Sequence, residues 1–296
     1  MPKQSEILWR LFRPHTLTAS FIPVLLGTIF AWRSSNIFHW GLFLAMMAAS
    51  VLIQAATNMF NEYFDFKRGL DNENSVGIAG VITRDGIKAS TVKKYAWGCL
   101  VIAAILGLYI CRYSSWWLIP VGFLCMSVGY IYTGGPFPIA YTPFGELIAG
   151  SFMGSGIILI SFFIQTGSIT VQTFFFSIPS LILIGAILMA NNIRDRLGDQ
   201  INGRKTLAVL LGHAKALRFL TAMFIATYLW TIMLVITGIL PLTSLLVLLS
   251  LPYAYKAVSS YRGKTKPEEM MAGMVAVAQT NTFYGLLMAV GLLCKL

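Results

Sequence analysis

Two short stretches of this 296-residue chain carry carboxylates and carboxamides at helical spacing. In the first, Asn58, Asn61 and Asp65 stand at i, i+3 and i+7, so they share one helix face. Asp71 lies beyond Gly69, a residue type that can end a helix and let the chain turn back toward Asp65. In the second, Asn191, Asp195, Asp199 and Asn202 form a stripe at i, i+4, i+8 and i+11. Two such stripes facing each other at the mouth of a helix bundle make an oxygen-lined site for a hard cation. Mg²⁺ suits it, because that ion takes a few carboxylates and completes its shell with substrate phosphates. The interleaved Lys67, Arg68, Arg194, Arg204 and Lys205 would meet the remaining phosphate oxygens. A single Asp beside Lys or Arg at a helix end is ordinarily a solvated charge pair. Four of them in two matched settings argue for a site.

The elements that must hold these residues are membrane helices. The chain is 57% hydrophobic and 11% charged, against roughly 25% charged in a soluble domain. That excludes a water-exposed globular protein, and the hydrophobicity excludes disorder. A bilayer core of about 30 Å needs about 20 helical residues. Nine apolar runs qualify: 16–32, 38–57, 95–111, 116–132, 144–164, 174–193, 217–236, 240–258 and 275–293. The second and sixth continue into the Asp-bearing stretches without a helix breaker. The first is long enough to span, so it reads as a helix rather than a cleaved leader.

Charge placement sets the orientation. With the N-terminus in the cytoplasm and nine alternating spans, 19 of the 22 Lys and Arg residues fall on the cytoplasmic side. All 11 acids fall there too, Glu62 and Glu146 included. The expectation is an all-α integral membrane protein, nine helices in one bundle with cytoplasmic cap loops, N-in and C-out, its site open to the cytoplasm. The net charge of +11 is thereby assigned to topology, to anionic headgroups of the lipid bilayer and to an anionic substrate, not to nucleic acid. The four cysteines lie in apolar stretches without metal or redox spacing, and His15, His39 and His213 are too scattered for a zinc set. Asn61-x-x-x-Asp65 and Asn191-x-x-x-Asp195 repeat 130 residues apart on one side, which suggests parallel halves of a single domain, about 1–135 and 136–296. A transporter is the rival reading. It sits poorly with a chain in which no apolar run carries an acid or base near its middle.

Together these stretches resemble the UbiA superfamily of intramembrane aromatic prenyltransferases, and within it the 1,4-dihydroxy-2-naphthoate branch. The carrying segments are Arg13-Pro-His-Thr-Leu-Thr-Ala, Asp65-Phe-Lys-Arg-Gly-Leu-Asp71, Ser75-Val-Gly-Ile-Ala-Gly, Tyr132-Thr-Gly-Gly-Pro-Phe-Pro, Asn191-Asn-Ile-Arg-Asp195 and Gly203-Arg-Lys-Thr-Leu-Ala-Val. The resemblance implies Mg²⁺-dependent transfer of a polyprenyl group from its diphosphate to 1,4-dihydroxy-2-naphthoate, with loss of CO2. Another aromatic acceptor, 4-hydroxybenzoate or a porphyrinoid, is the alternative within the class. By the same resemblance Asp65, Asp71, Asp195 and Asp199 ligate Mg²⁺ with help from Asn61 and Asn191. Asn58, Lys67, Arg68, Arg84 and Lys205 join the substrate-binding set, the cations at the diphosphate. Arg13 has two readings, a contact to the acceptor carboxylate or a topology charge at lipid phosphate. Tyr132 also has two, a ring beside the prenyl cation or an interface-belt Tyr. Where many relatives carry Lys or Arg after that Tyr, this chain has Gly-Gly-Pro-Phe-Pro-Ile-Ala-Tyr141, which argues against a hydroxybenzoate-type acceptor site. The glycine-rich 75–80 stretch reads as a cap over the site.

Overall fold

A computed structural model describes residues 4–72, 75–77 and 79–294, with nothing stated of the side chains of Gln4 and His15. The topology charges Lys3, Glu73 and Lys295, and Ile78 of the glycine-rich cap, lie outside the described residues. Those residues form helices and connecting turns, with no strand among them. In chain order the helices are α1 (Gln4–Phe12), α2 (Thr18–Ser35), α3 (Trp40–Lys67), α4 (Ala89–Tyr113) and α5 (Leu118–Ile131). They continue with α6 (Gly145–Thr166), α7 (Val171–Ile201), α8 (Leu207–Ile236), α9 (Leu242–Ser259) and α10 (Pro267–Leu293). Seven of these, α3, α4 and α6 to α10, are long and apolar enough to cross a membrane, so the protein is a multi-pass membrane protein.

The two remaining apolar runs behave differently. The run 16–32 starts with a tight turn at Pro14–Thr16 and becomes helical only at Thr18. The run 116–132 yields the 14-residue α5, roughly 21 Å at 1.5 Å per residue. Trp116 and Trp117 form the turn before it and Tyr132 caps its end, so the apolar run outlasts the helix. In α8 the chain breaks helical geometry at Gly212, which has φ +72°. The span 217–236 therefore follows a bend, with 207–211 as a separate first turn.

α3 and α7 explain the site. Each runs on past its apolar part, to Lys67 and Ile201: no Pro or Gly stands between the apolar part and Asp65 or Asp195, and α7 continues through Gly198 to Asp199. α3 packs along α4, and α7 along α8. α2 from the first half of the chain packs with the second: Ile22 and Leu26 share a core cluster with Leu183, Leu220 and Tyr284. Large apolar side chains face outward, among them Ile105 and Leu108 on α4 and Ile225 and Leu229 on α8. An outward apolar face is what lipid accepts, and close helix packing must then come from small residues inside. The Gly150-x-x-x-Gly154 pair on α6 shows it. It lies in a wide π turn, Gly150–Gly156, against the backbone of Leu181 on α7. A Cβ on Gly154 would stand 2.6 Å from the Leu181 nitrogen and Cα. Gly154→Val is expected to push α6 off α7 and cost ~1–3 kcal/mol, the range of overpacked cores. A lowered thermal midpoint in detergent reads this, and an unchanged midpoint rejects the close packing.

Candidate active site

The end of α3 builds one wall. Gly69 has φ +72°, and the Leu70 amide donates back to the Asp65 carbonyl at 2.9 Å. This left-handed stop reverses the chain. Asp71 then lies in the field of Asp65, Glu62, Arg13 and Arg204. Burial, and next the Asp65 carboxylate, push the Asp71 carboxyl up to about 7, against the pull of Arg13.

The end of α7 builds the facing wall by the same device. Gly203 has φ +73°, and the Arg204 amide donates to the Asp199 carbonyl at 2.9 Å. This swings the Arg204 side chain across the gap. Its guanidinium meets Asp65 Oδ1 at 2.6 Å and Asp199 Oδ1 at 3.3 Å, so one cation ties the first Asp motif to the second. Burial works against that charge, but Asp65 and Asp199 outweigh it and hold Arg204 more basic than usual. The guanidinium also lies over the Tyr141 ring, 5.0 Å from its centroid. Arg68 lies over the same ring at 5.5 Å and donates to the carbonyls of Thr133 and Gly135. Tyr132 closes this side: its phenol is within electrostatic reach of Glu146, Arg204, Asp199 and Asp65.

The N-terminal segment closes the other side. Arg13 takes a left-handed backbone, φ 49°, and its guanidinium faces Glu62 Oε2 at 3.5 Å. The other Glu62 oxygen accepts from the amides of Val81 and Ile82 at 2.7 and 3.2 Å. That buried acid pins the segment after the glycine-rich stretch onto α3. The stretch itself crosses to α7, where Gly77 is so close to Arg194 that a Cβ would overlap the guanidinium. Gly77 thus meets α7, while Val81 and Ile82 just beyond are tied to α3.

Several expected ligands are placed otherwise. Asp195 is held by its neighbour Arg194, through Nε at 2.6 Å and Nη2 at 2.5 Å. Asn61 Oδ1 accepts from the Thr133 hydroxyl at 2.8 Å. Asn191 is half-buried one turn before Asp195. Asn58 is buried and spent on the N-terminal turn, donating to the Phe12 carbonyl and the Thr16 hydroxyl. Lys67 stands two residues from Asp65 and so points to the other side of α3. It lines a separate cavity of about 490 Å³ with Tyr63, Phe66, Lys93, Lys94 and Trp97. Arg84 is exposed and donates to the Ser75 carbonyl. Lys205 is exposed, and its backbone amide donates to the Tyr141 carbonyl at 3.0 Å. Sequence reasoning gave no role to Glu62, Tyr141 or Thr133. Their partners lie 19 to 73 residues away, and no local spacing announces them.

The donor set fits a hard cation and an anion together. Among the described residues no three acidic, His or Cys side chains converge to hold an ion by themselves; Arg204 meets carboxylate oxygens of Asp65 and Asp199, and Arg194 those of Asp195. Yet Asp65 and Asp71 repel one another, a charge balance that a divalent cation would relieve. Arg13 Nε and Arg204 Nε are buried donors without an acceptor. They suit the oxygens of an anionic substrate, which would complete a Mg²⁺ shell that a few carboxylates begin.

The fold of these membrane helices is shared with known proteins. The model of the UbiA prenyltransferase family matches residues 20–277, and the chain belongs to that family. The 1,4-dihydroxy-2-naphthoate octaprenyltransferase of Bacillus subtilis (strain 168) is 52% identical over 97% of this chain and 92% of that protein. Among solved structures, a UbiA homolog from Aeropyrum pernix K1 superposes with a TM-score of 0.72 at 14% identity, over 94% of this chain and 97% of that one. A UbiA homolog from Archaeoglobus fulgidus bound to DMAPP and Mg²⁺ gives 0.64 at 14% identity, over 96% and 99%.

Proposed function

We infer that this protein transfers a polyprenyl group from its diphosphate to 1,4-dihydroxy-2-naphthoate, releasing CO2 and diphosphate, the prenylation step of menaquinone synthesis. The 52% identity to a 1,4-dihydroxy-2-naphthoate octaprenyltransferase over nearly the whole chain carries the reading. The joining of Asp65 to Asp199 through Arg204 supports it from the side of the site. The UbiA homolog that holds DMAPP and Mg²⁺ supports the same donor chemistry and the same ion.

Asp65, Asp71, Asp195 and Asp199, with Asn61 and Asn191, would hold Mg²⁺. When bound, that ion neutralises charge developing on the leaving diphosphate. Arg204 and Arg68 bind phosphate oxygens from the two motif ends. Tyr132 turns its ring toward the allylic carbon, where a π face favours positive charge. The apolar helices exclude the water that would quench the cation. Lys67, on the outer face, falls outside this set, and Asn58 acts through the turn that presents Arg13. α2 and α5 complete nine spans with the seven long helices, N-in and C-out, so that the single domain opens its site to the cytoplasm at the cell membrane.

The test is a two-substrate assay on purified protein. A polyprenyl diphosphate is supplied with either dihydroxynaphthoate or 4-hydroxybenzoate, with and without Mg²⁺, and products are read by mass. A Mg²⁺-dependent, decarboxylated naphthol product is expected. Product from hydroxybenzoate alone would overturn the acceptor, and no product at all would overturn the reading. Arg13→Ala is expected to raise the KM for the acceptor about tenfold, roughly 1.4 kcal/mol, with a smaller change in the donor KM. The reverse pattern would reject a contact to the acceptor carboxylate.

A further inference from the structure

Glu146 stands in the first turn of α6, 5% exposed. Asn192 of α7 donates to its Oε1 at 2.9 Å. Its Oε2 is buried and has no partner, and no Lys or Arg forms an ion pair with it among the described residues. A carboxylate taken out of water with half its hydrogen bonds unmade is costly, and a group left in that state asks for a ligand. The surroundings say where the ligand stands. The Tyr132 hydroxyl approaches within 3.3 Å of the point where a Cβ of Gly145, the preceding residue, would be. The same phenol feels Glu146 together with Arg204, Asp199 and Asp65. Glu146 thus lies beside the phenol of Tyr132, the ring proposed to face the prenyl carbon. At Oε2 itself a hydroxyl is favoured, because it can donate to the free lone pairs of the carboxylate.

We propose that Glu146 is the hydroxyl-binding and proton-accepting group of the aromatic acceptor subsite, with Asn192 as the positioning residue that fixes Oε1 and leaves Oε2 for the substrate. This rests on the function inferred above. The hydroxyl concerned is the one ortho to the ring carbon that bears the carboxylate. Its O–H bond breaks and the proton passes to Oε2. The oxygen electron pair moves into the ring as the carboxylate-bearing carbon bonds to the prenyl carbon, and diphosphate leaves with the C–O pair. The product of that step is a ketone beside a carbon carrying both prenyl and carboxylate, a β-keto acid. Its C–C bond breaks, CO2 departs, the freed pair restores the ring, and the proton returns from Glu146 to oxygen. Glu146 ends as it began, and no co-reactant is needed.

The experiment compares wild type with Glu146→Gln, both on dihydroxynaphthoate and on its monomethyl ether, in which the ortho hydroxyl is capped. Glu146→Gln is expected to lower kcat/KM for the free acceptor about 10²–10³-fold, the usual worth of a positioned base, with donor KM unchanged. Wild type on the methyl ether is expected to be about as slow as the variant on the free acceptor, and the variant no slower again on the ether. Asn192→Ser is expected to give a smaller loss confined to the acceptor, and it carries the test if Glu146→Gln does not fold. Wild-type rates in Glu146→Gln, or a further loss of equal size on the ether, overturn the assignment while leaving the function intact. Failure of wild type to prenylate any aromatic acceptor overturns both.

Discussion

Asp65→Asn and Asp199→Asn should each lower kcat on the order of 10³-fold, about 4 kcal/mol of transition-state stabilisation, while the protein still inserts and stays monodisperse in detergent. The two residues sit on different helices, α3 and α7, and share one guanidinium at 2.6 and 3.3 Å. Each variant therefore removes charge from the same place by a different route. An amide keeps the shape of the carboxylate and one acceptor oxygen, so packing changes little. What it loses is the charge that would draw a divalent cation to the diphosphate. The two variants should also need more Mg²⁺ for half-maximal rate. Their double variant should lose little more than either single one, since residues acting as a unit are not additive. Initial rates at saturating donor, titrated with Mg²⁺, read all three. Full turnover in both single variants would remove the Asp motifs from the site.

Much of this site was legible in the sequence, and the reasons for the rest are physical. Helical spacing placed Asn61 and Asp65 on one face, and the absence of breakers carried α3 and α7 beyond the apolar stretch. Gly69 was readable as the stop that returns Asp71, and φ +72° is what that stop requires. The same periodicity separates Lys67 from Asp65 by about 200° on an ideal helix, so its outward position follows from the rule that assembled the Asp stripe. Composition weighed it as one more cation near phosphate. Between the adjacent Arg204 and Lys205, sequence has no means of choosing. The choice is made by the left-handed Gly203, which sends one side chain inward and the other to solvent. In the sequence Glu62 and Glu146 read only as two of eleven acids on one expected side of the membrane. Their burial and their partners at Val81 and Asn192 exist only once distant segments meet. The apolar run 116–132 is longer than α5 because hydropathy counts apolar residues whether or not they are helical, and the run includes turn residues at both ends.

Arg204→Lys gives the second large effect, and it separates charge from geometry. Lys keeps the positive charge but has a single ammonium in place of a planar fork. It can satisfy Asp65 or Asp199, not both, and it loses the face that lies over Tyr141 at 5.0 Å. Arg204 also carries Nε, a buried donor with no acceptor in the protein. If that donor meets a diphosphate oxygen, Lys cannot replace it. The expected result is a fall in kcat/KM for the donor of about 10–100-fold, roughly 1.4–2.7 kcal/mol, with the acceptor KM unchanged. Arg204→Leu should fall further, because Asp65 and Asp199 then lose their shared counter-charge in a largely buried setting, where breaking a pair is costlier than never having it. The order wild type, Lys, Leu in donor kcat/KM is the signature of a guanidinium that bridges the two motifs and reads the diphosphate. A Lys variant equal to wild type would mean that charge alone suffices, and the bridge between α3 and α7 would then be a feature of the resting fold without a part in recognising the donor.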